Sequence, residues 1–142
     1  MLEQLPLVRY KAKYLYTIYT PCSGLFALVD SEGNTWNNYN GQLGLLLYNG
    51  GTVCDDMFDG ESGDIICRRM GYAGAMEWKG YGDYVSNRDS YQVIFSEYEI
   101  KIDAISCPDN GNWDQCTYSH DDYCVHEENV FLSCTSKIEG IC

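Results

Sequence analysis

Eight cysteines, at positions 22, 54, 67, 107, 116, 124, 134 and 142, constrain this 142-residue chain more than any other feature. Their number is even and no two are spaced as CxxC, so the paired knuckles of a zinc module are missing. Such a set reads as a disulfide framework, which forms and persists in an oxidising setting, either outside the cell or in an organelle lumen. His120, Cys124 and His126 have zinc-ligand residue types, but thiols committed to disulfides do not serve a metal.

The rest of the composition decides what the framework holds together. Residues that are 45% hydrophobic, with only three prolines, supply enough apolar material for a real core in one domain. A formal charge of −12 excludes partners bound by phosphate neutralisation, namely nucleic acid and anionic membrane surfaces. Metal cations or a basic protein surface are the charge partners that remain. The longest apolar run, residues 43–48, is far short of the roughly 20 residues that span a bilayer. The first twenty residues hold no apolar stretch of signal-peptide length, and no Asn-x-Ser/Thr sequon occurs.

Along the chain, residues 1–24 stand apart as an extension. They carry Arg9, Lys11 and Lys13, and alternate like a strand with Tyr10, Ala12, Tyr14, Tyr16 and Ile18 on one parity. Short strands are expected at 25–29, 43–48 and 52–54, the last two joined by a tight turn at Asn49-Gly50-Gly51. One helix is marked by Asp59, Glu61 and Asp64 at its start, Arg68 and Arg69 near its end and Gly71 as its cap, with Ile66 and Met70 on the buried face. The Gly- and Tyr-rich stretch 71–84 has no sustained period. Residues 91–105 alternate like a strand, with Val93, Phe95, Ile100 and Ile102 inward and a bulge near Tyr98. A helical turn at 112–116 and a strand at 130–134 complete the reading.

Four blocks in order, GQLGLLLYNGGTVCDDMFD, DIICRRMGYAGA, IDAISC and CVHEENVFLSC, resemble the scavenger receptor cysteine-rich (SRCR) domain. The resemblance covers residues 25–134, leaving 1–24 as an extension and 135–142 as a tail. It implies a compact, disulfide-rich α+β fold with a curved antiparallel sheet cradling one main helix between long loops. It also implies the pairs Cys54 with Cys124, Cys67 with Cys134 and Cys107 with Cys116. Cys22 and Cys142 fall outside that pattern and are expected to pair with each other, with intermolecular bonds as the competing reading. Two features depart from the family: the tryptophan that usually precedes GTVCDD is absent, with Trp36, Trp78 or a tyrosine to fill its place, and the segment between Cys67 and Cys107 is longer. The stretch from Asp89 to Glu99 is therefore the expected family-atypical surface.

The resemblance also places the chemistry. Asp55 and Asp56 follow Cys54, and the implied bridge to Cys124 brings Glu128 towards them, so that three carboxylates converge. Hard oxygen ligands of this kind suit Ca2+ or Mg2+, and the family uses a similar set as a calcium-dependent ligand site. Asp59, Asp103 and Asn129 are second-tier candidates, Asn129 replacing a family aspartate. The plainer reading is that Asp55 and Asp56 cap a turn while Glu128 is solvated. Catalysis finds no support: there is no GxSxG or HExxH, no cysteine without an expected partner, and the Gly-rich stretch lacks a GK[ST] ending. The expected function is a non-enzymatic extracellular or lumenal protein-interaction module that binds a basic or polyionic protein partner with cation assistance. The alternatives are a disulfide-stabilised structural or accessory subunit of a larger complex or filament, docking through the extension and the 89–99 segment, and an enzyme's accessory domain cut from a longer chain.

Overall fold

Three consecutive leucines set the layering of this fold, seen in a computed structural model that describes residues 25–35, 41–86, 88–120 and 123–138. Leu45, Leu46 and Leu47, in strand β2 (Gly44–Tyr48), are all buried. Successive strand residues point to opposite faces, so a continuous buried run requires that both faces of the sheet be covered. Leu46 packs with Leu28 of β1 (Phe26–Val29) and Leu132 of β7 (Phe131–Cys134) against Ile65 and Ile66 of helix α1 (Gly60–Arg69). Leu45 and Leu47 share the other cluster with Val29, Phe131 and the Tyr91, Ile94 and Phe95 side chains of helix α2 (Arg88–Phe95).

The remaining strands among the described residues are β3 (Gly51–Asp56), β4 (Ala75–Lys79), β5 (Ile100–Ser106) and β6 (Thr117–Ser119). They are ordered β4-β7-β2-β3-β5-β6, with β1 also pairing β2. The β2–β3 hairpin turns at Asn49 (φ 50°) and Gly50 (φ 84°), both in the positive-φ region that a two-residue type I′ turn demands. The architecture is α+β and disulfide-rich, and two details differ from the expectation. The sheet is mixed, because β3 and β5 run parallel, and a second helix stands where residues 91–95 alternate like strand. Tyr91, Ile94 and Phe95 sit at i, i+3 and i+4, and are buried together on one helical face. Val93, expected inward, is 75% exposed on the opposite face. Tyr98 lies in the connection between α2 and β5 and not in a bulge.

Helix α1 shows how local sequence chemistry ends a helix. The Asp59 carboxylate accepts from the Ser62 N–H and hydroxyl, both at 2.9 Å, capping the N-terminus. At the other end the Tyr72 N–H donates to the Cys67 carbonyl and the Gly71 N–H to the Arg68 carbonyl, a Schellman motif with Gly71 at φ 98°. Ile66 is fully buried and Met70 partly so.

Among the described residues three disulfides connect these elements: Cys54–Cys124, Cys67–Cys134 and Cys107–Cys116. Cys67–Cys134 ties α1 to β7 inside the core, both residues having no exposed surface. Cys22 and Cys142, and Trp36, lie outside the described residues. Trp78 packs its ring 5.0 Å from Phe58. Trp113, a buried member of the first cluster, sits edge-on to Phe26 at 4.8 Å and 5.7 Å from Tyr48.

Candidate cation and ligand site

The end of β3 is where backbone pairing, a disulfide and a charged cluster meet. Val53 accepts from the Val130 N–H at 2.8 Å, Cys54 forms a bridge with Asn129, and the Cys54–Cys124 disulfide ties the incoming chain one turn earlier. These ties hold the single 3-10 turn His126–Glu128 over the last residues of β3. His126 fixes it further: its ring stacks on Phe95 with centroids 5.7 Å apart, and Nε2–H donates to the Tyr98 carbonyl at 3.1 Å.

Asp55, Asp56 and Glu128 consequently converge, each offering a carboxylate oxygen, with those atoms within 4.8 Å of one another. Asp56 is exposed while Asp55 and Glu128 are half-buried. The Glu128 carboxyl is pushed above its ordinary pKa, first by burial and then by the negative charges of Asp56 and Asp55. Asp55 is oriented from outside the cluster: its Oδ2 accepts from the Tyr81 N–H at 2.7 Å. A Cβ at Gly80 would run into the Asp55 carboxylate, so the turn after β4 reaches the site only with glycine there. Arg88, at the start of α2, secures this turn. Its Nη2 donates to the carbonyls of Gly80 (3.1 Å) and Asp83 (3.3 Å), while its guanidinium lies 4.9 Å above the Phe131 ring.

The second-tier residues divide. Asp59 is spent as the cap of α1. Asp103 is 3% exposed on β5 with its Oδ2 lacking a hydrogen-bond partner, and its charge adds to the upward push on Glu128. Asn129 is fully buried beside His126, its Oδ1 3.3 Å from Nδ1 of the ring. Cys124 is disulfide-bonded, so the grouping of His120, Cys124 and His126 has no thiolate to offer. Sequence reasoning misses Gly80, Tyr81 and Arg88, which act on the cluster across 25 or more residues of chain; no local signal connects them.

A disulfide-braced α+β domain carrying its charged site at the end of a sheet strand and on the short turn held over it has the build of an extracellular recognition module. The profile of the scavenger receptor cysteine-rich domain matches residues 33–135, and the chain belongs to that family. SRCR domains are extracellular, non-enzymatic protein-interaction modules. Lysyl oxidase homolog 2A of Danio rerio is 31% identical over 111 residues, covering 74% of this chain and 14% of that protein. Lysyl oxidase homolog 2 of Pongo abelii is also 31% identical, over 75% of this chain and 12% of its own. The chain thus spans about a seventh of the length of the curated relatives it matches. Among solved structures, the dimeric SRCR domain of mouse MARCO is 26% identical with a TM-score of 0.44, covering 72% of this chain and 93% of that one. No helix among the described residues is long and apolar enough to cross a membrane.

Proposed function

We propose that this domain binds a basic protein partner through a divalent cation, Ca2+ or Mg2+, held by Asp55, Asp56 and Glu128. The observation that carries the reading is the convergence of three carboxylates within 4.8 Å, none of them in an ion pair with a lysine or arginine among the described residues. Like charges held this close raise one another's pKa unless a cation neutralises them, and oxygen-only donors favour hard cations. Asp103, buried behind with an unpartnered oxygen, adds negative potential and an acceptor that a bound cation's water could satisfy. A cation held by three side chains keeps open positions for a partner's acidic or carbonyl oxygens, while the surrounding carboxylates attract its lysines and arginines.

Calorimetric titration of calcium into chelator-treated protein tests the reading, followed by titration of a Lys/Arg-rich peptide with and without calcium. Heat at micromolar to millimolar calcium, with peptide binding dependent on it, supports the proposal. Absence of both heat and thermal shift at millimolar calcium overturns it.

A further inference from the structure

The hydroxyls of Tyr48 and Tyr118 meet at 3.3 Å although the two residues are 70 positions apart. Tyr48 ends β2, and Tyr118 is the middle residue of β6, the three-residue strand at one edge of the sheet. Neighbouring rings hold the pair in place. Trp113, which is buried, stacks on Tyr118 with centroids 5.5 Å and planes 16° apart, and stands 5.7 Å from the Tyr48 ring. Phe26 lies against Tyr48 at 5.0 Å.

The two phenol rings converge at their hydroxyl ends, because their centroids are 5.6 Å apart and their oxygens only 3.3 Å. The ortho carbons flank those oxygens, so the converging side carries the ring positions that hold unpaired spin once a phenol has lost an electron and a proton. Tyr118 is 42% exposed and open to a small oxidant. Exposed side chains sample their rotamers within nanoseconds, which covers the remaining approach of the rings. The hydrogen bond with Tyr118, and then burial, push the Tyr48 phenol up to about 12. It is therefore neutral at physiological pH and gives up its proton together with its electron.

We propose that Tyr48 and Tyr118 are the site of an oxidative cross-link, an intramolecular dityrosine made by a one-electron oxidant of the peroxidase class with hydrogen peroxide. Each phenol loses one electron and its hydroxyl proton. The two phenoxyl radicals join through one ortho carbon each, and the hydrogens on those carbons return to the phenol oxygens. The two electrons and two protons removed reduce hydrogen peroxide to two waters, so the chain ends lighter by two hydrogens. An oxidising compartment that preserves disulfides suits this chemistry. No cysteine lies in β2, and the new bond gives that strand a covalent tie to the sheet edge.

Exposure alone would favour other tyrosines, since Tyr81, Tyr84 and Tyr123 are 67%, 80% and 86% exposed. A partner already held in contact, however, acts at an effective concentration far above that of a second copy in dilute solution. Proximity then outweighs exposure.

Peroxidase and limiting hydrogen peroxide, applied to the dilute full chain, test this by mass spectrometry of proteolytic peptides after reduction of the disulfides. The expected product is a monomer lighter by two hydrogens, with dityrosine fluorescence and the peptides of Tyr48 and Tyr118 joined. Tyr118→Phe keeps the ring without the phenol, and should lower both signals in the monomer to background. The double variant Tyr84→Phe, Tyr123→Phe removes two strongly exposed tyrosines, leaves the pair intact and should keep the parent's yield. Four results overturn the proposal: a monomer that gains no link, links confined to dimers, links that join other tyrosines in place of this pair, or a Tyr118→Phe variant that links as well as the parent. Calcium plays no part in these readouts, so they stand or fall separately from the cation site.

Discussion

Replacing Glu128 by Gln separates a carboxylate held for a cation from one that is merely solvated. The three ligand oxygens lie within 4.8 Å of one another. At that separation each like-charge pair costs about 0.9 kcal/mol in a water-like dielectric. Glu128→Gln removes two of the three pairs, and screening over a Debye length of about 8 Å roughly halves the gain, to about 1 kcal/mol. In chelator, the variant's thermal midpoint should therefore rise by about 3 °C. Calcium at one hundred times its dissociation constant should stabilise the parent by about 2.7 kcal/mol, roughly 8 °C, and the variant far less.

The pH dependence has a definite sign. Burial, then Asp56 and Asp55, raise the Glu128 pKa, so the folded protein holds that proton more tightly than the unfolded chain does. Stability of the calcium-free parent should fall as pH rises from the unfolded glutamate value through the raised folded value, and the variant should lose that slope. Scanning calorimetry of both proteins in chelator and in calcium, across that pH range, reads all three effects. A variant that melts lower than the parent in chelator and keeps the full calcium shift refutes the reasoning.

Three further outcomes follow from the geometry. Loop closure makes Cys67–Cys134, 67 residues apart, worth about 4.4 kcal/mol and Cys107–Cys116, 9 residues apart, about 2.6 kcal/mol; paired Cys→Ala variants compared by denaturant unfolding should keep that order, and the reverse order would contradict it. Gly80→Ala should displace the Asp55 carboxylate and weaken calcium binding about tenfold by calorimetry, a cost of ~1.4 kcal/mol, whereas Gly60→Ala, whose Cβ meets nothing within 4 Å, should leave it unchanged. Arg88→Met keeps an apolar stem near Phe131 but loses the bonds to Gly80 and Asp83, costing about 1–2 kcal/mol and speeding amide exchange at Tyr81; unchanged exchange there would show that Arg88 does not hold the turn.

Legibility in the sequence followed the range of the interaction. Both ends of α1 could be read from residues within four positions of each cap, as could the Asn49-Gly50 turn, because their backbone geometry is set by neighbours in the chain. Helix α2 was obscured because Tyr91, Val93 and Phe95 also satisfy a period of two, and β-branched and aromatic residues suit strands. Tertiary burial decided that conflict. Leu45, Leu46 and Leu47 are all buried, so each sheet face needs a cover, and α2 supplies the second one through Tyr91, Ile94 and Phe95.

By itself, the sequence determined that the chain forms a disulfide-braced acidic domain of the SRCR family, because cysteine number, block order and charge are properties of the chain that survive any rearrangement of its loops. It also supplied the identities of Asp55, Asp56 and Glu128. Only the tertiary structure decided that their oxygens share a space less than 5 Å across, that Tyr81 and Gly80 orient Asp55, and that α2 and the 124–127 stretch enclose a groove beside them. Those contacts join residues 25 to more than 70 positions apart, and a distance of that kind is set by how the sheet faces are covered rather than by any local pattern.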